Sequence, residues 1–93
     1  MEYADGKVKD LQIAYIGGGS RGWAWTFMTD LAMDEELSGT IRLYDIDAEA
    51  AKHNESIGNR LSAREDVVGK WNYTVSDSLQ SALTGADFVV ISI

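Results

Sequence analysis

The chain has 93 residues, 45% of them hydrophobic and 25% charged, and carries a net charge of −7. That is enough for one small domain, and its acidic balance excludes the basic footprint on which non-specific nucleic-acid binding rests. The absence of cysteine excludes disulfides and thiolate metal sites within the chain.

Residues 1–10, MEYADGKVKD, are polar and mixed in charge, without the apolar stretch of a secretion signal, and read as a flexible leader. LQIAYI (11–16) is a short apolar run ending at glycines, the pattern of a buried strand. Residues 20–37 carry Trp23, Phe27, Met28 and Leu31 at helical spacing, without proline. SGT (38–40) is a turn and IRLYD (41–45) a second strand. Asp47 can cap a helix starting at Ala48, with Ala50, Ile57 and Leu61 on one face, which frays near Arg64. WNYTV (71–75) is a third strand. Asp77 or Ser76 caps a short helix through Leu83 that Gly85 stops, and FVVISI (88–93) is a fourth apolar strand.

Strands alternating with helices predict an α/β fold: a doubly wound parallel sheet with right-handed crossovers, Rossmann-like, its four strands in the order 3-2-1-4. Residues 11–93 then form the first part of a nucleotide-binding domain. Ligands in such sheets bind beyond the carboxyl ends of the strands, and the sequence stops in its most apolar strand. The expectation is therefore a fragment of a larger protein. No apolar run approaches the roughly 18 residues of a membrane span, and the chain reads as cytoplasmic with no membrane partner.

The stretch YIGGGSRGW concentrates the chemistry. Gly17, Gly19 and Gly22 satisfy G-x-G-x-x-G between a strand and a helix, the context that gives the motif meaning. The first glycine allows the tight turn, the second removes a side chain where a pyrophosphate would approach, and the third lets the helix pack on the strand. Ser20 and the amides of residues 18–22, Gly18 among them, are expected to face phosphates at the positive end of the helix dipole. Arg21 sits at that same end, where its charge is favourable only beside a bound phosphate. Asp45 ends the second strand 23 residues after Gly22. A carboxylate there accepts hydrogen bonds from both ribose hydroxyls and repels a 2′-phosphate, which favours NAD over NADP. Ser92, at the end of the fourth strand, is a candidate contact to the nicotinamide half.

Other residues attract weaker readings. His53 stands alone and near the packed face of its helix, which makes it structural rather than a metal ligand. Trp23 with Phe27 and Leu31 is core packing; Trp25 is a candidate substrate or partner contact. Asp34, Glu35 and Glu36 form a solvated acidic helix end. The glycine loop and its carboxylate also fit an ordinary NAD-dependent dehydrogenase, a methyltransferase using S-adenosylmethionine, or a non-enzymatic nucleotide-sensing module.

Taken together, IAYIGGGSRGWAWTFMTDLA, LSGTIRLYDID and LTGADFVVISI resemble the N-terminal part of glycoside hydrolase family 4 over residues 11–93. GGGSRGWA with LYDID resembles the α-galacturonidase branch more than the α-glucosidase or 6-phospho-glycosidase members. Most glycosidases work with two carboxylates; this family depends on NAD instead. The resemblance implies a redox-neutral oxidation, elimination and re-addition at sugar carbons C3, C2 and C1. NAD is then a catalytic cofactor, assisted by a divalent metal, typically Mn²⁺. It places Gly17, Gly18, Gly19 and Ser20 in the phosphate loop and Asp45 at the ribose. The family's metal-binding Cys and His and its base lie beyond Ile93, so no catalytic or metal residue is expected here and the 93 residues alone are inert. A sugar substrate and a homo-oligomer are expected of the full-length protein.

Overall fold

A computed structural model describes residues 1–17, 19, 20 and 22–92, with Trp23 described by its backbone alone. Eight elements follow in chain order: β1 (Glu2–Ala4), β2 (Lys7–Ile16), α1 (Gly22–Ala32), β3 (Leu37–Tyr44), α2 (Ala48–Ser62), β4 (Trp71–Val75), α3 (Leu79–Leu83) and β5 (Phe88–Ile91). The strands form one sheet in which β2 is central, flanked by β3 and then β4 on one side and by β5 on the other. These four strands run parallel, with Ile13 opposite Ile41, Ile41 opposite Tyr73 and Ile16 opposite Ile91. The expected order 3-2-1-4 is therefore present as β4-β3-β2-β5.

The leader expected over residues 1–10 is instead a strand pair. β1 lies antiparallel to the start of β2, with Tyr3 opposite Val8. Asp5 and Gly6 connect them with φ of 55° and 76°, the pair of left-handed residues that a two-residue hairpin of the right twist demands. A second irregularity lies at Asp10, where φ is 54° and the β2–β3 register shifts between Val8 and Leu11, as a bulge does.

Strand alternation assigns the faces. Leu11, Ile13 and Tyr15 of β2 and Ile41 and Leu43 of β3 are buried against Ala24, Met28 and Leu31 of α1 and Ala51 of α2. The Phe27 ring packs 5.4 Å from that of Tyr15. On the opposite face Arg42 donates to the carbonyl oxygens of Ala82 and Thr84 and to Oε1 of Gln12, which ties α3 to the sheet.

Element ends follow local hydrogen bonding. α1 stops at Ala32, short of the expected 37, because Oδ1 of Asp34 accepts from the amides of Glu36 and Leu37 and turns the chain into β3. The expected turn at 38–40 is consequently strand. Asp47 caps α2 as expected, accepting from the Ala50 amide at 3.2 Å. The cap of α3 is Ser78, not Asp77 or Ser76: its hydroxyl accepts from the Ser81 amide while Ser81 reaches back to the Ser78 amide.

The two outer strands differ. Along β4 the amides of Trp71, Tyr73 and Val75 donate to Ser62, Asn59 and Glu55 of α2, and Asn59 returns a bond to the Tyr73 carbonyl. Side chains of a helix thus occupy the edge where another strand would pair. β5 has no such cover among the described residues. Phe88, Val89 and Ile91 are exposed there, although the apolar sequence of that strand predicts burial.

Candidate functional site

The carboxyl ends of β2, β3 and β5 meet at the glycine loop. The Gly17 amide donates to the Tyr44 carbonyl at 2.8 Å, and the Ser20 amide donates back to the Gly17 carbonyl at 3.0 Å. The chain thus reverses within four residues. Gly17 has φ of 93°, and a Cβ there would fall well inside contact distance of the Ser92 carbonyl oxygen. Only glycine meets both conditions. Ser92 itself is fixed by its amide, which donates to the Ile16 carbonyl at 2.9 Å.

Gly19 is close-packed for a different reason. A Cβ there would lie 2.7 Å from Cβ of Ala50 and 2.8 Å from Oδ2 of Asp45. Its amide donates to Oδ2 of Asp45 at 2.9 Å, and Oδ1 of the same carboxylate accepts from the Asp47 amide at 2.9 Å. An ionised carboxylate offers about four acceptor positions, so two backbone bonds leave acceptor capacity for further donors. The two halves of the sequence motif, 26 residues apart, are therefore in direct contact.

Two sequence expectations need correction. Among the described residues nothing lies within 4 Å of where a Gly22 Cβ would stand, so close packing on β2 does not explain the third glycine. The amides of Gly19 and Ser20, expected to face phosphates, both donate within the protein. Gly18 and Arg21 lie outside the described residues, as does the side chain of Trp23, so their expected roles have no structural description.

Residues that the motif does not name complete the loop's support. Asn54 of α2, 1% exposed, donates from Nδ2 to the Ser20 carbonyl at 2.8 Å. Its Oδ1 accepts from Nε1 of Trp25 at 2.9 Å. Trp25, read as a candidate substrate contact, thus has its polar atom engaged inside the protein. The signal for Asn54 was present in the sequence as an amide four residues after Ala50 on the helix's inner side, seven after the cap. His53 is exposed rather than packed and borders a small cleft with Gly19, Asp47, Glu49, Ala50 and Asn54.

A larger groove of about 730 Å³ runs from Asp45, Ile46 and Lys52 across to Val75, Ser76 and Asp77. It lies between the carboxyl ends of β3 and β4, beside the Asp45 carboxylate. Among the described residues no group of three or more His, Cys, Asp or Glu could hold a metal ion. None of their helices is long and apolar enough to cross a membrane.

Comparison with known proteins bears on this geometry. The family model described as Family 4 glycosyl hydrolase matches residues 12–93. The alpha-galacturonidase of Lachnoclostridium phytofermentans is 69% identical over all 93 residues, and that of Thermoanaerobacterium saccharolyticum 64%. The chain covers 20% of each, so it spans about a fifth of the length of these relatives. A Bacillus subtilis crystal structure, solved as that of a candidate glucosidase, lplD, superposes with a TM-score of 0.81 at 50% identity, over 91% of this chain and 18% of that one. The 6-phospho-beta glucosidase of Thermotoga maritima, solved with manganese, NAD⁺ and glucose-6-phosphate, superposes with a TM-score of 0.66 at 26% identity, over 89% of this chain and 19% of that one.

Proposed function

The chain belongs to family 4 of the glycosyl hydrolases, and we propose that residues 11–93 are the NAD-binding part of an α-galacturonidase. The observation that carries this reading is the contact between Asp45 and Gly19 at the carboxyl ends of parallel strands. A carboxylate with spare lone pairs stands beside a loop that has no side chain at Gly17 or Gly19, which supports the reading. These residues fit a dinucleotide. Gly17, Gly19 and Ser20 border the pyrophosphate path, Asp45 takes the ribose hydroxyls with its spare lone pairs, and the groove toward Val75 and Ser76 accepts the adenine. Gly18, Arg21, Gly22 and Ser92 stay in the proposed set, the last at the nicotinamide half. NAD supplies a reversible acceptor for hydrogen from the sugar when bound. The work of this chain is to hold and orient it.

In this proposal the metal's ligands lie outside these residues. The chain has no cysteine, and its described acidic residues and histidine form no ligand cluster. The Mn²⁺ expected of the family would take its ligands from outside these residues, as would the sugar and the catalytic base. A cytoplasmic location and a homo-oligomeric full-length protein are parts of the same proposal. Family membership displaces the dehydrogenase, methyltransferase and sensor readings.

The test is calorimetric titration with NAD⁺, NADP⁺ and S-adenosylmethionine, followed by hydrolysis of an α-galacturonide with and without NAD⁺ and Mn²⁺ on the intact polypeptide. Tighter binding of NAD⁺ than of the other two, with hydrolysis dependent on both additions, is the expected result. Hydrolysis that persists after NAD⁺ is stripped refutes it.

A further inference from the structure

Among the described residues Asn54 is the one polar side chain sealed into the interior. A buried carboxamide is costly unless its groups are paired. Two of its partners are of opposite and fixed kinds. Indole N–H can only donate, and a backbone carbonyl can only accept. With Nε1 of Trp25 on Oδ1 and the Ser20 carbonyl on Nδ2, the amide cannot be turned over without setting donor against donor and acceptor against acceptor. The three residues belong to three elements: Ser20 ends the glycine loop, Trp25 lies in the first turns of α1 and Asn54 lies on α2.

Building on the NAD-binding reading above, we infer that Asn54 is a positioning residue for the pyrophosphate, acting through the Ser20 carbonyl, with Trp25 setting the orientation of its amide. The rest of the loop is held from other sides. Gly17 rests on Ser92, while Gly19 is held between Ala50 and the Asp45 carboxylate. Ser20 is the loop's last described residue before the helix, and Asn54 draws its carbonyl oxygen inward toward α2. A carbonyl turned outward would present its negative end to an anion over the loop. The latch therefore acts on the phosphate-facing side of the loop and not on the ribose carboxylate or the adenine groove, which have their own supports. Asn54 touches no bound group itself.

That separation supplies the test. The intact polypeptide and its variants are titrated with ADP-ribose, which carries the pyrophosphate, and with adenosine, which does not. N54A weakens ADP-ribose by about tenfold, the usual worth of one buried hydrogen bond, while adenosine stays within about twofold. N54D retains the acceptor for Trp25 but loses the donor to Ser20, and weakens ADP-ribose more than N54A does. Trp25 is 42% exposed, so W25F preserves the fold and gives a smaller loss, about threefold, again confined to ADP-ribose. Parallel losses for both ligands in N54A and W25F overturn the inference, because a merely structural residue would weaken both. So does ADP-ribose binding that is unchanged in all three variants. If the unsubstituted protein binds neither ADP-ribose nor NAD⁺, the NAD-binding reading falls and the inference with it. If it binds both and the variants do not discriminate, the inference falls alone.

Discussion

The three glycines of the motif should respond differently to alanine, and the structure orders them. At Gly17 a Cβ meets two penalties. A φ of 93° is disfavoured for L-residues by about 1–2 kcal/mol, and intrusion on the Ser92 carbonyl adds an overpacking cost of about 1–3 kcal/mol. The sum, about 2–5 kcal/mol, is a large share of the roughly 5–14 kcal/mol that holds a domain of this size together. At Gly19 the backbone is not left-handed, and only packing opposes a methyl. The clash at 2.7 Å with Cβ of Ala50 and at 2.8 Å with Oδ2 of Asp45 costs about 1–3 kcal/mol and displaces the carboxylate on which ribose binding depends. At Gly22 nothing among the described residues lies within 4 Å of the Cβ position, and alanine gains helix propensity worth up to about 1 kcal/mol. Urea denaturation of the three variants, with NAD⁺ titration of those that fold, should therefore show G17A strongly destabilised. G19A should be moderately destabilised with a disproportionate loss of NAD⁺ affinity. G22A should be neutral or slightly more stable. A G22A variant as damaged as G17A would refute the reasoning, since the third glycine would then be held by a constraint absent from this geometry.

Other outcomes follow from the same contacts. Both oxygens of Asp45 accept backbone N–H groups, so D45N must set its NH₂ against one of them; NAD⁺ affinity should fall about 10- to 150-fold, the range of a charged hydrogen bond of about 1.5–3 kcal/mol. Calorimetry within twofold of the unsubstituted protein would contradict this. Asn59 makes two bonds to Tyr73 on the β4 edge; N59A should cost about 2 kcal/mol and raise light scattering as the freed edge pairs with other copies. Arg64 and Asp66 form an exposed ion pair, in which the hydrogen bond from Arg64 holds the Asp66 carboxyl below its ordinary pKa of 3.8. A depressed carboxyl contributes only above its unfolded pKa and loses that contribution as pH falls through its folded value. R64A should therefore leave thermal stability unchanged at pH 7, because solvent screens the pair, and any small difference seen in low salt should start to fade as pH falls to about 4 and be lost at lower pH still. A large loss at pH 7 would mean the pair is more than a surface contact.

Much of this was legible in the residues because the informative signals are local. Apolar runs bounded by glycine, aspartate caps and alternating elements depend on neighbours within a few positions, which is why β4, the start of α2 and the order β4-β3-β2-β5 agree with the sequence reading. The hairpin at residues 2–10 was also marked locally, by Asp5-Gly6, but its strands are too polar to stand out by hydrophobicity. The missed end of α1 turned on a single side chain, Asp34, bonding forward to two amides, where a run of acids looked only like a solvated terminus.

By itself the sequence determined the fold class, the family and the pair of features, glycine loop and Asp45, around which the site is built. Tertiary structure alone decided how those features meet. Asp45 bonds to Gly19 across 26 residues, Gly17 must lack a side chain because of Ser92 while no described residue crowds Gly22, and Asn54 joins two helices beneath the loop. The physical reason is range. Propensity and periodicity act along the chain and can be read from it. Steric exclusion and the pairing of buried polar groups act between segments that only the folded sheet brings together.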